Sequence, residues 1–195
     1  MRLIFATQNL NKVEEIRKIL DPDIELISLL DLDVHDDIPE TSMTLEENAF
    51  QKARYIFDKF KITTIADDTG LEVEALEGEP GVLSARYAGD QKNSDDNIDK
   101  LLHKLNNKRN MAAQFRTIIA MVGENESHFF EGKVAGVIIR ERRGSNGFGY
   151  DPVFIPEGYK KTFAQMTLDE KNQISHRAMA IKKFVDHLTQ TLNRL

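Results

Sequence analysis

With 195 residues, the chain has the length of one domain at about 150 residues per domain, or of two lobes sharing a core, and burying roughly 70% of its unfolded surface needs no staples. Hydrophobic residues make up 41%, charged residues 30%, and cysteine is absent, which excludes disulfides, thiolate nucleophiles, iron–sulfur clusters and cysteine zinc sites. A net charge of -6 argues against non-specific duplex binding, which rests on a cationic surface, but leaves open an anionic small molecule bridged to carboxylates by a divalent cation.

No repeat, low-complexity tract or Pro/Gly/Ser linker interrupts the chain, so the expectation is a single domain over residues 1–195. Arg2 to Ala6 reads as a short buried strand. It is too short for a signal-peptide core, and no apolar stretch nears the ~20 residues that cross a bilayer, so the expected location is the cytoplasm, away from membranes. A helix follows, with Asn9 as its cap and Val13, Ile16, Ile19 and Leu20 on one face before Pro22. Ile24 to Leu30 suits a second strand. Thr44-Leu45-Glu46-Glu47 has the form of a capping box, and Leu45, Ala49, Ala53, Ile56 and Phe60 mark the buried face of the helix it opens.

Ile62 to Ala66 and Leu71 to Leu76 read as strands on either side of a turn, Asp67-Asp68-Thr69-Gly70. Ser94 can cap a helix carrying Ile98, Leu101, Leu102 and Leu105. Ala113 to Val122 and His128 to Ile139 form a hairpin around Gly123-Glu124-Asn125-Glu126. A glycine-rich loop, Gly144 to Gly149, leads into a short strand at Pro152 to Ile155, and Ala178, Ile181, Val185, Leu188 and Leu192 stripe a last helix. Helices alternating with strands first, and strands pairing later, predict an α/β fold with a mixed sheet.

Five segments carry candidate chemistry. Asp67 and Asp68 end an apolar strand, where open α/β sheets place ligands, though Asp, Thr and Gly are equally turn formers. Neighbours on a strand point opposite ways, so one acid can face a ligand while the other ties down the loop. Glu40, in Asp36-Asp37-Ile38-Pro39-Glu40-Thr41, reads as an exposed loop acid unless the fold brings it to Asp67 or Asp68. Carboxylates without His or Cys are the donor set for a hard cation such as Mg²⁺. Thr7-Gln8-Asn9-Leu10-Asn11-Lys12 opens the first helix, where free N–H groups and Lys12 suit a phosphate, as plain capping also would. It is not a Walker A loop. Gly147-Phe148-Gly149-Tyr150-Asp151-Pro152 can offer ring faces to a base or fold its aromatics inward. Lys171, His176 and Arg177 place donors at the start of the last helix, where solvated surface is the plainer reading. His35, His103, His128 and His187 show no ligand spacing.

In order along the chain, these segments, with Glu47-Asn48-Ala49 and Gly78 to Gly89, resemble the inosine triphosphate pyrophosphatase family. Thr69 stands where that family often has Ser, which keeps the hydroxyl, and Gln8 where a smaller residue is frequent. The resemblance implies a two-lobed α/β fold with a long twisted mixed sheet and a cleft between lobes. It also implies a homodimer, Mg²⁺ dependence, and cleavage of ITP, dITP and XTP to monophosphate and pyrophosphate. On that analogy Asp68 orients or deprotonates the attacking water, and Glu40, Asp67 and Asp68 hold the metal shell. Thr7 to Lys12, Lys52, Thr69, Phe148 to Asp151, Lys171, His176 and Arg177 bind the substrate. A nucleotide sensor without turnover, or a phosphatase releasing orthophosphate, are the alternatives, and crowding Glu40, Asp67 and Asp68 around a phosphate chain gains a mere binder nothing.

Overall fold

The structure is a computed structural model that describes residues 1–36 and 38–192, without the side chains of Asn11, Glu15 and Leu192. Asp37 and the side chains of Asn11 and Leu192, invoked above, therefore lie outside the described residues. The elements in chain order are β1 (Arg2–Phe5), α1 (Leu10–Arg17), β2 (Glu25–Ser28), α2 (Leu45–Phe60), β3 (Thr64–Val73), β4 (Pro80–Gly81), α3 (Ser94–Lys104), β5 (Ala112–Val122), β6 (Ser127–Ile138), β7 (Phe154–Pro156), α4 (Leu168–Ile174) and α5 (His176–Leu192), with short 3₁₀ turns between some of them. The strands run in the order β2-β1-β3-β5-β6-β7, with β4 beside β3. β1 pairs in parallel with β2 and β3, whereas β3–β4 and β6–β7 are antiparallel. This is the expected α/β mixed sheet.

The chain divides into two compact units. The first comprises Met1–Asp68, Ile118–Glu131 and the chain from Ala180 onward. Its core joins Leu3 and Phe5 of β1, Val13 and Ile16 of α1, Ile65 of β3, and Ala180, Ile181 and Phe184 of α5. Phe184 is fully buried and meets Phe130 edge-on at 5.6 Å. The second unit comprises Thr69–Thr117 and Gly132–Met179, around Leu71, Val73, Ile98, Leu101, Phe115, Phe154 and Phe163.

Several expectations about local structure are corrected. β3 is one strand through Asp67-Asp68-Thr69-Gly70, not two strands around a turn. The turn formers are overruled because each polar side chain there finds a partner, as described below, so the pleat need not break to solvate them. α1 ends at Arg17, leaving Ile19 and Leu20 beyond the helix. α3 is capped by Asn93, whose side chain accepts from the amides of Asp95 and Asp96, not by Ser94. Thr44 caps α2 by accepting from the Glu47 amide at 3.2 Å. The segment before α5 is a helix of its own, α4, opened by the capping box of Thr167 and Glu170; the Thr-x-x-Glu signature was present in the sequence to mark it.

These packing observations set two stability expectations. Phe184→Ala removes a fully buried ring and should destabilise by about 3–5 kcal/mol, whereas Thr44→Ala removes one cap bond and should cost about 1 kcal/mol. Urea midpoints would check both, and comparable losses would show that the α5 ring is not a core anchor.

Candidate active site

The first unit gathers two lysine–aspartate pairs on β3. Ile65 and Asp67 alternate with Ala66 and Asp68, so the two acids leave opposite faces of the strand. Ile65 belongs to the core shared with α1, and α1 supplies Lys12, whose Nζ donates to Asp67 Oδ1 and Oδ2 at 2.9 and 2.8 Å. The Asp67 side chain is 5% exposed. On the other face α2 supplies Lys52, which donates to Glu40 Oε1 at 2.5 Å and reaches Asp68 Oδ1 at 3.4 Å. Asp68 Oδ2 is buried with no hydrogen-bond partner.

Burial pushes the Asp68 carboxyl above the usual aspartate range. The Lys52 ammonium pulls the other way, and the negative charges of Glu40 and Asp67 reinforce the rise. For Lys52, burial favours the neutral amine, but Asp68, Asp67 and Glu40 together outweigh it and hold the pKa above the ordinary lysine value. Lys52 therefore stays charged, and Asp68 is the acid whose charge is least well compensated.

Glu40, a loop acid when read alone, does lie beside Asp68 through Lys52. Asp67 is instead engaged by Lys12, and among the described residues no group of three or more His, Asp or Glu stands ready to hold a metal ion. The expected three-acid metal set is not assembled. The donors that fit a hard cation are Glu40 and Asp68, oxygen ligands that already share one cationic group and include one unpartnered buried oxygen. A pair of carboxylates suits Mg²⁺, which completes its shell with water and substrate phosphates.

At the α1 entrance the Thr7 hydroxyl accepts from the Asn9 amide at 3.2 Å, and Asn9 Oδ1 accepts from the Lys12 amide at 3.4 Å. This is helix capping with Gln8, Asn9 and Leu10 exposed, and its polar groups precede a helix N-terminus, the place where backbone N–H groups meet anions.

The second unit holds the aromatic segment. Phe148 is 63% exposed, with the Lys171 ammonium 4.9 Å and the Arg177 guanidinium 5.8 Å from its ring centre. Asp151 is buried and organises this loop, its Oδ2 accepting from the Phe148 amide at 3.0 Å and from Lys171 Nζ at 2.5 Å. Gly147 is required here: its φ is +76°, and a Cβ would lie 2.0 Å from Asp151 Oδ2. Tyr150 turns inward, 3% exposed, and donates to the Ser84 carbonyl at 2.9 Å. Gly149 takes a left-handed φ of +61°. His176 is 6% exposed and stacks on Phe115, with rings 4.7 Å apart and 14° from parallel. Thr69 meets Thr117, hydroxyl to hydroxyl, at 2.7 Å.

Thus Lys12 with Asp67, and Lys52 with Glu40 and Asp68, come together in the first unit, and Phe148, Asp151, Lys171 and Arg177 in the second. Thr117 and Phe115 were not singled out from the sequence, and Asn48, part of the Glu47-Asn48-Ala49 motif, was given no role there. Asn48 carried a readable signal: with Lys52 it interrupts the stripe of Leu45, Ala49, Ala53 and Ile56 at helical spacing, and it is 1% exposed. A polar residue on an apolar face demands a partner.

The description "Ham1 family" belongs to the family model that matches residues 3–187. A protein of Flavobacterium psychrophilum named dITP/XTP pyrophosphatase is 51% identical over 186 residues, covering 95% of this chain and 98% of that one. One of the same name from Porphyromonas gingivalis is 51% identical, covering 96% and 97%. Among solved structures, the Staphylococcus aureus Ham1 protein superposes with a TM-score of 0.93 at 42% identity, covering 98% of this chain and 100% of that chain. A HAM1 protein from Coxiella burnetii gives 0.93 at 36%, covering 97% and 99%. Alike in sequence and in backbone from end to end, this chain belongs to the Ham1 family.

Proposed function

We infer that the protein hydrolyses the non-canonical purine nucleoside triphosphates ITP, dITP and XTP to the monophosphate and pyrophosphate, removing them from the nucleotide pool. Relatives named dITP/XTP pyrophosphatase over nearly the whole chain support this. The observation that carries the chemistry is the buried, unpartnered Oδ2 of Asp68 beside the Lys52–Glu40 pair.

Mg²⁺ dependence is part of the same reading. Glu40 and Asp68 would hold Mg²⁺, which when bound would supply charge neutralisation along the phosphates. Asp68 is the base. Burial raises its carboxyl above the ordinary aspartate range, whereas both Asp67 oxygens accept from Lys12. Asp68 accepts a proton from water as the water oxygen bonds to the α-phosphorus. The bond from that phosphorus to the bridging oxygen breaks, and pyrophosphate leaves with the electron pair. Lys12, at the opening turn of α1, and Lys52 supply positive charge to the phosphates. In the second unit, exposed Phe148 offers a stacking face, while Arg177 and His176 supply donors to the 6-oxo group that hypoxanthine and xanthine share and adenine lacks. The sequence-based assignment of Tyr150 and Asp151 to substrate binding becomes one of holding the Phe148 loop. A homodimer in the cytoplasm completes the reading and rests on the family resemblance; among the described residues no helix is long and apolar enough to cross a membrane. Light scattering tests the dimer.

The decisive assay is pyrophosphate release from ITP, expected with Mg²⁺ and lost in EDTA; orthophosphate as the product would overturn the assignment. Asp68→Asn should lower kcat by about 10²–10⁴ while ITP still binds, and retention of more than about a tenth of the activity would remove Asp68 as the base. Lys12→Ala should raise KM for ITP without changing the preference between bases. It should also lower the melting temperature by leaving Asp67 buried without its cation, a loss that the added change Asp67→Asn relieves. A shifted ITP-to-ATP preference would place Lys12 at the base instead. Arg177→Ala should narrow the ITP-to-ATP ratio of kcat/KM, because a buried donor left unsatisfied by adenine is worth about 1–3 kcal/mol. Equal losses on both substrates would assign Arg177 to the phosphates.

A further inference from the structure

Residues Glu40, Thr41 and Ser42 are a loop without regular structure, yet Glu40 must be held in place if it is to serve a cation. The hold comes from α2. Asn48, Gln51 and Lys52 occupy positions i, i+3 and i+4, one face of the helix, and each takes one loop residue in reverse order. Lys52 Nζ donates to Glu40 Oε1 at 2.5 Å. Gln51 Oε1 accepts from the Thr41 amide at 3.2 Å, and its Nε2 donates to Thr41 Oγ1 at 3.1 Å. Asn48 Oδ1 accepts from the Ser42 amide at 2.9 Å.

We propose that Asn48 and Gln51 are positioning residues of the hydrolytic centre, which pin the loop that carries Glu40. Neither is assigned contact with the substrate or the metal. A carboxylate on an unrestrained loop samples many positions, and ordering it on binding lowers the affinity for the cation. Two backbone amides clamped to a helix remove that freedom beforehand, as outer groups around metal ligands generally do. The inference rests on the proposed Mg²⁺-dependent reaction, and the test separates the two.

Asn48 is 1% exposed, so its variants can fail to fold, whereas Gln51 is half-buried and carries the test. Mn²⁺ is titrated against the full chain with α,β-methylene ITP present, and free Mn²⁺ is read by electron paramagnetic resonance. Gln51→Ala should raise the Mn²⁺ Kd about tenfold and lower kcat at saturating metal by less than that. Gln51→Glu, which keeps the acceptor for the Thr41 amide, should restore most of the affinity. Folded Asn48→Ala should likewise raise the Kd, because it releases the Ser42 amide. A Mn²⁺ Kd for Gln51→Ala within about twofold of wild type, or no rescue by Gln51→Glu, overturns the proposal while wild type still releases pyrophosphate from ITP. A wild-type chain that releases none overturns the functional reading and this inference with it.

Discussion

Two consecutive aspartates inside a sheet strand are the constraint around which the first unit is organised. A buried carboxylate without a cation is strongly disfavoured, and a strand sends successive side chains to opposite faces. Each face therefore needs its own lysine. α1 brings Lys12 to Asp67 and α2 brings Lys52 to Asp68, which ties the placement of both helices to the charge pattern of β3. The two pairs are not equivalent. Lys12 engages both oxygens of Asp67, whereas Lys52 is divided between Glu40 and Asp68 and leaves one Asp68 oxygen unpartnered. Neighbouring residues of the same type thereby differ: Asp67 is a satisfied acid, Asp68 an incompletely satisfied one.

The second unit solves a different problem, the presentation of an aromatic ring to solvent without loss of its position. Phe148 is exposed, but the residues after it are anchored. Asp151 accepts from the Phe148 amide and from Lys171, and Tyr150 is tied to the Ser84 carbonyl. Gly144 and Gly147 permit the close approaches this loop needs: a Cβ at Gly144 would lie 2.2 Å from the Ala164 carbonyl oxygen. The cations of Lys171 and Arg177 near the ring bring positive charge to this surface. Glycines, a buried acid and an inward tyrosine that individually look like binding residues act chiefly as the frame for one phenylalanine.

Local signals were legible wherever the physics is local. The cap at Thr44 and the apolar stripe of α2 predict the helix, because a cap bond spans three residues and a helical face repeats every three or four. The same logic, applied to Thr167-x-x-Glu170, would have separated α4 from α5. Asn93 displaced Ser94 as the cap of α3 by the same chemistry one residue earlier, a distinction that two adjacent good caps do not make by themselves. In the candidate site, the ordered series of motifs identified the family and singled out the acids and lysines that the structure brings together.

Which residue meets which partner was another matter. Lys12 and Asp67 are 55 positions apart, Thr69 and Thr117 48, and Tyr150 and Ser84 66, so no window of sequence contains both members. Asp-Asp-Thr-Gly by itself has the composition of a solvated turn, and only the arrival of Lys12, Lys52 and Thr117 makes it cheaper to continue the strand than to break it. The sequence by itself determined α2 with its cap, the α/β class and the family. The tertiary structure alone decided that β3 runs unbroken through its acids, that both Asp67 oxygens meet Lys12 while one Asp68 oxygen is left unpartnered, and that Tyr150 points inward. The physical reason is that the free energy of a charged or amphipathic side chain depends on burial and on its partner, and both are set by packing between segments remote along the chain.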